Sequence, residues 1–559
     1  MAEPLVRHIL YGTMRKLLTP SLLGSVLFLS AALALTQQRA PAPAGGRGAA
    51  AAPAAAAADW PTFGGDNARS NANMAPTRIT AANVGTMVRQ QVTISAPIDA
   101  GLIYLRGVQV NGAAHDTFFG TTNLGRTVAI DANDGKVLWE FAAPGFDETA
   151  AAAGAPAGGR GLVVKQITNS TPVADANRQF IYAASADGKV TKISVADGKA
   201  VWSTAVTKLP IMEKLDSPLG FANGRVLVST AGYVGDTAPY QGHIVILNAA
   251  TGAIEHVWNS LCSDRKELLD PPSCPQAQSA IWGRLGIVVD PATGNLLFAT
   301  GNGPYDGKTS WGDALIMLDP NATQMLGNWT TTNNAELNRQ DLDMGSTSPV
   351  LLGDGYIAQG GKDGTFRLLT MDIIKGTEPH QGGELQVVEI PGKPQLLSGS
   401  ATAKIGGKTY LFASQAGRGG GGGTWAWTLG ADHKLTEAWK NTTGGNTPFV
   451  AGGLVYIYDP AAAGGHVRVF DAQTGNAVAT LDSGGGHWNS AIVVDNRIAL
   501  PEGAISGFGA RGGGGRGGRG GGPGAAGAAG GAPPAPAAPT PPAAPAPIPT
   551  GIVNIWRLP

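Results

Sequence analysis

The chain is short of charge, cysteine and histidine. Of its 559 residues only 14% are charged, and Lys plus Arg equals Asp plus Glu at 40 each, so the formal net charge is zero. That balance leaves no electrostatic footprint for nucleic acid or an anionic membrane. With two cysteines, Cys262 and Cys274, no disulfide framework can exist. They lie in one Pro-containing loop, where a single structural disulfide is expected in an oxidising compartment, with two free thiols as the alternative. Neither a His-rich metal constellation nor a Ser-His-Asp arrangement stands out, and no long amphipathic helix does. Glycine is abundant instead, at 82 residues.

A recurring phrase is the strongest positive signal. Val128-Ala129-Ile130-Asp131-Ala132-Asn133-Asp134-Gly135-Lys136-Val137-Leu138-Trp139 alternates apolar and small or polar residues on either side of a tight turn, the period-2 signature of two pleated strands. Asp131 can bond the turn backbone and Gly135 can take positive φ, so the strands fold back as a hairpin. Trp139 suits burial between neighbouring sheets. Weaker copies run from Lys192 to Trp202, Val245 to Trp258, Ala314 to Trp329 and Val467 to Leu481, at intervals of roughly 55 to 70 residues, which point to a propeller or solenoid array.

The N-terminus reads as an export signal over residues 1–36. Arg15 and Lys16 precede an apolar stretch from Leu17 to Leu35, and Ala32-Leu33-Ala34 supplies small residues for cleavage. Met14 is an alternative start. The uninterrupted apolar run after Pro20 is about 15 residues, short for a membrane span, so no transmembrane segment is expected in the mature chain. Residues 37–58 are a disordered Ala/Pro/Gly linker with nothing to bury. Periplasmic or secreted localisation follows.

Reading turns by Gly, Asn and Asp gives four strands per unit. The third strands fall near 126–131, 189–195, 243–248, 313–319, 365–372, 424–430, 466–471 and 551–557. This predicts an all-β, eight-bladed β-propeller of four-stranded antiparallel blades over 59–559. The last blade lacks its own outer strand, and Met87 to Ile94 is left over at the front, so pairing of the two is expected to close the ring. Antiparallel order places the short turns on one rim and the long segments 142–170, 204–216, 232–242, 260–283, 302–312, 332–347 and 415–423 on the other, where binding usually resides. The insert 502–550 within blade eight, almost all Gly, Ala and Pro, is expected to be disordered.

Asp59-Trp60-Pro61-Thr62-Phe63-Gly64-Gly65-Asp66-Asn67, then Ile79 and Asn83-Val84, resembles the opening of mature quinoproteins. The phrase Ala129-x-Asp131-x-x-x-Gly135-Lys136-x-x-Trp139 resembles their tryptophan-docking repeat. The resemblance to the pyrroloquinoline quinone (PQQ) repeat, quinoprotein alcohol dehydrogenase-like propeller family covers residues 59–559 apart from the insert and implies the same eight-bladed fold. It says less about activity, since non-catalytic assembly scaffolds carry the repeat too. Dehydrogenases of this family hold PQQ against a Trp with a calcium ion beside it. By resemblance, Trp282 is the stacking residue, Asn302 in Gly301-Asn302 a cofactor and calcium ligand, and Lys362 the cation near the quinone oxygens. Asp341 and Asp343 are the acidic loop that can join a calcium site.

Departures accompany these matches. Ala231-Gly232-Tyr233-Val234-Gly235-Asp236 stands where the calcium-binding Glu is expected, and no Gly-Asp-Asn follows Asn302. Asp306 and Asp313 are therefore the candidates for a catalytic base. No adjacent-cysteine pair and no Cys-x-x-Cys-His occurs, so no haem is expected. The reading that results is a monomeric binding or protein-interaction scaffold acting through its funnel face on an unknown protein partner. Its alternative is a PQQ- and calcium-dependent dehydrogenase of an alcohol or sugar. His487 is the one further funnel-side histidine singled out.

Overall fold

The computed structural model describes residues 59–157, 162–233, 238–416, 422–460, 464–505 and 547–559. The expected signal peptide, the linker 37–58 and most of the insert 502–550 lie outside the described residues. Eight antiparallel four-stranded sheets follow one another along the chain. The third strands are Thr127–Asp131, Lys189–Ser194, His243–Asn248, Ala314–Leu318, Thr365–Thr370, Gly423–Leu429, His466–Asp471 and Gly551–Arg557, in the places the alternation predicted. Blade 8 is completed from the front of the chain: Val88–Ile94 runs antiparallel to Gly551–Arg557 in unbroken register, Val88 opposite Arg557 and Ile94 opposite Gly551. The two ends of the chain thus share one sheet, which closes the ring.

The repeated turn has a second role besides reversing the chain. Trp139 of blade 1 donates its indole N–H to the Val195 carbonyl of blade 2 at 2.9 Å, and Trp439 of blade 6 does the same to Ala472 of blade 7 at 3.0 Å. Each ring lies on the glycine of the next blade's turn. A Cβ at Gly198 would sit 2.8 Å from the Trp139 ring and one at Gly475 2.5 Å from Trp439, and both glycines have positive φ. The turn glycine therefore serves the backbone conformation and the seat of the neighbouring tryptophan together.

One element has no counterpart in the repeat. Residues 60–73 lie along the inner edges of the blades: Trp60 pairs with Tyr104 of blade 1, Pro61 and Asn67 accept from Ala174 and Val289, and Ala72–Asn73 adds a parallel strand beside Phe449–Ala451. Arg69, 1% exposed, donates to the carbonyls of Phe63, Leu219 and Ile287. Burial lowers its pKa to about 10, yet the guanidinium stays charged at neutral pH and its carbonyl partners replace water.

Removing a docking indole leaves both a cavity and an unsatisfied carbonyl. Trp139→Ala is expected to lower the unfolding free energy by about 3–5 kcal/mol, measured by urea denaturation; a loss below about 1 kcal/mol would refute the docking role.

Candidate functional site

Four neighbouring rim loops meet beside blades 3 to 5. Trp282 stands in the connection between blades 3 and 4. Its indole N–H donates to the Gly232 carbonyl at 3.3 Å, and Tyr240 packs at 6.2 Å between centroids. A Cβ on Gly301 would come within 2.5 Å of the indole, so the ring lies directly on the backbone that leads into Asn302. The helix Asn334–Gln340 in the next connection ends on a left-handed Asp341, φ 58°. Beyond it Gly345 lies so close to Thr300 and Gly301 that a Cβ would meet their backbone at 2.4 Å. That approach brings the acidic loop against Asn302.

Lys362, in the loop between the second and third strands of blade 5, completes the cluster. Its ammonium lies 2.7 Å from Asp341 Oδ1 and 2.5 Å from Asp343 Oδ1, and 6.0 Å from the centroid of the Trp282 ring. The backbone agrees with the side chain, for the Lys362 N–H donates to the Asp343 carbonyl at 3.0 Å. Burial alone would favour the neutral amine. The charges of Asp343 and Asp341, with hydrogen bonds to both, outweigh it and raise the pKa. The Asn302 amide lies against the same pair: with its nitrogen turned toward the carboxylates it would donate to Asp343 Oδ1 at 2.9 Å and Asp341 Oδ1 at 3.0 Å. These bonds are shorter than the 3.4 Å contacts to the Leu337 and Asn338 carbonyls that the opposite orientation makes.

The two aspartates differ in access. Asp343 is fully buried and accepts from Ser346 Oγ at 2.7 Å, whereas the Asp341 side chain is 64% exposed. Asp313 adjoins them, accepting from the Met344 N–H at 3.2 Å while its Oδ2 is buried without a partner. Burial, then the charge of Asp343, pushes its pKa well above the usual carboxylate range. Asp306 is engaged elsewhere: its Oδ1 accepts from the N–H groups of Lys308, Thr309 and Ser310, each at 2.8 Å. Against the opposing effect of burial, these bonds lower its pKa. Its geometry is that of a turn cap.

A second polar group sits nearer the ring axis. Asp216, buried, is clamped between Lys214 at 2.6 Å and Arg284 at 2.9 Å, and the Arg284 guanidinium lies 4.1 Å above the Trp488 ring. His487 pairs with Asp99 at 2.9 Å. Sequence reading missed the buried triad that supports the wall behind Trp282. His243 places one ring nitrogen 2.9 Å from Glu213 Oε1 and the other 2.6 Å from Asn259 Oδ1, and both His243 and Glu213 are wholly buried. Since Asn259 Nδ2 donates to the Arg265 and Glu267 carbonyls, its oxygen must face the imidazole. Both imidazole nitrogens thus face acceptors, as a protonated ring requires. Glu213–Lys214 also pairs with Ala231–Gly232, whose carbonyl holds the Trp282 indole. The available signal was a polar His and Asn at register-paired strand ends, His243 opposite Asn259.

The two cysteines are joined as Cys262–Cys274 in the connection that carries Trp282. A family model of PQQ repeats, described as outer membrane protein assembly factor BamB, matches residues 105–265. The chain is an eight-bladed propeller that matches PQQ-type repeats over those residues. It resembles the quinohemoprotein alcohol dehydrogenase of Comamonas testosteroni at TM-score 0.56 and 17% identity, covering 80% of this chain and 77% of that one. A europium-containing methanol dehydrogenase aligns at TM-score 0.57 and 15% identity, over 80% and 90%. Alcohol dehydrogenase ADHIIG of Pseudomonas putida HK5 aligns at 0.55 and 15%, over 79% and 75%. Identities this low establish the shared propeller and nothing finer. No curated protein matches the chain in sequence.

A planar anionic quinone and a divalent cation place different demands on these residues. The half-buried Trp282 face with an ammonium beside it fits the first. The oxygen set fits a calcium ion poorly: it presents two carboxylates and one amide around a point an ammonium already fills, where calcium takes about six to eight oxygens. Among the described residues no group of three His, Cys, Asp or Glu side chains is arranged to hold a metal ion.

The His243 pair has a pH consequence. Burial opposes the imidazolium, but the charge of Glu213 and hydrogen bonds to Glu213 and Asn259 raise its pKa above 6.5. A raised folded-state pKa gives stability that is complete below the unfolded value of 6.5 and lost as pH rises through the folded value. The melting temperature of the wild type should fall as pH rises above 6.5, with His243→Gln flatter over that range. Parallel profiles would contradict a charged His243.

Proposed function

We propose that the funnel face over blades 3 to 5 binds a planar anionic quinone of the PQQ type, and that the protein is a dehydrogenase of an alcohol or sugar. The observation that carries this reading is the convergence of Trp282, Asn302, Asp341, Asp343 and Lys362 from separate rim loops onto one cluster. The likeness to dehydrogenase propellers supports it at the level of fold. Bound PQQ would supply a two-electron acceptor. Trp282 offers the flat face and keeps its orientation through Gly232. Lys362, held by buried Asp343, presents positive charge to oxygens of the ligand. Asp341 is the carboxylate open enough to receive a proton from a substrate hydroxyl, which moves the proposed base role away from Asp306 and Asp313.

A second reading, ligand binding or protein docking without turnover, is favoured by one observation. Residues 231–233, in the loop where the family's calcium-binding Glu is expected, carry no acidic side chain, and Ala231–Gly232 is engaged in a strand pair. Under either reading the compartment we propose is the periplasm or the exterior, on the N-terminal export pattern and the disulfide. Among the described residues no helix is long and apolar enough to cross a membrane.

PQQ titrated into the protein should quench tryptophan fluorescence saturably, and Trp282→Ala should weaken that binding at least about tenfold, equivalent to roughly 1.4 kcal/mol. With an alcohol or sugar panel and an artificial electron acceptor, Asp341→Asn should reduce turnover by about 10²–10⁴-fold while leaving PQQ affinity nearly unchanged. Quenching without dye reduction across the panel would favour the second reading. Absence of quenching at tens of micromolar PQQ would remove the first.

A further inference from the structure

We infer that this site carries its own cation: the Lys362 ammonium takes the position between Asp341 and Asp343 that a divalent metal would need, so the anionic ligand is bound without metal. The part concerning the ligand rests on the proposed function; the part concerning the cation stands without it.

Two features of the geometry point the same way. First, Nζ is within 2.7 Å of Asp341 Oδ1 and 2.5 Å of Asp343 Oδ1, so one ammonium bridges both carboxylates. A metal reaching the same two oxygens would lie almost on top of it, and like charges at that separation repel strongly. Second, Lys362 is not a surface side chain that happens to fold inward. It is 15% exposed, and its own backbone N–H is bonded to the Asp343 carbonyl at 3.0 Å, which ties the two loops in register. A metal would have to expel the lysine from between the two carboxylates.

The ammonium lies 6.0 Å from the Trp282 centroid, beside the face offered to a planar ligand. It can therefore give such a ligand's oxygens the positive charge that a metal supplies elsewhere. A carboxylate pair left without Lys362 becomes a vacant anionic cleft, which a hard cation can fill.

Terbium(III) luminescence sensitised by the adjacent tryptophan tests the cation directly. Wild-type protein should give no saturable signal at micromolar terbium, and Lys362→Met should bind at least tenfold more tightly. Lys362→Met combined with Asp341→Asn should lose that gain. Equal terbium affinity in wild type and Lys362→Met overturns the inference. Should Lys362→Met not fold, the wild type still decides, because a saturable rise in melting temperature with calcium, absent from Asp341→Asn, would equally overturn it. The ligand half is read from PQQ quenching with EDTA or with millimolar calcium: agreement within about twofold is expected, and a calcium requirement of tenfold or more refutes metal independence. If PQQ quenches under neither condition, the functional reading fails while the terbium result still settles the cation.

Discussion

The antiparallel pairing of Val88–Ile94 with Gly551–Arg557 is the constraint on which the molecule rests. A propeller blade cannot cover its own faces, and each indole seated on the next blade's turn glycine has a partner only if there is a next blade. An open arc would leave two faces and one inner strand exposed to water. Joining the two ends of the chain in one sheet removes that loss. The cluster that includes Val92, Ile94, Val553, Ile555 and Trp556 places this seam inside a continuous core.

Closure also explains how weakly related loops converge. The blades set the angle and spacing of the rim, and glycines at the contact points then allow backbones to approach. Gly301 lies under Trp282 and Gly345 against Gly301, so the indole, the amide and the acid pair occupy consecutive layers of one packed wall. Behind them the Glu213–His243 pair and the disulfide hold the connections that frame Trp282. The acidic cluster is therefore a consequence of backbone approach, with Lys362 supplying the compensating charge that burial of Asp343 requires.

Much of the candidate site was legible. Trp282, Asn302, Asp341, Asp343 and Lys362 are singled out by the resemblance of their phrases to the family's, and the antiparallel order puts them on one rim. Their roles were less legible. Nearness to Asn302 in sequence favours Asp306 and Asp313 as bases. Yet Asp306 is spent on three backbone N–H groups and Asp313 is buried beside Asp343. Whether a carboxylate is a turn cap, a buried acid or an exposed base depends on solvent and neighbours, which spacing along the chain does not encode. The inner segment 60–73 was likewise seen only as part of a family-like opening; its contacts with blades on opposite sides of the ring are non-local.

The alternation of apolar residues, the turn chemistry and the recurrence of Trp determined by themselves that this chain forms eight antiparallel blades and sews its ends together. Those signals are local, and each blade repeats them. Which charges compensate which was decided only in the tertiary structure, where Lys362 reaches two aspartates about twenty residues earlier in the chain and His243 reaches Glu213. Electrostatic partnership is a matter of a few ångströms and of excluded water, and both come into being only when the ring has closed.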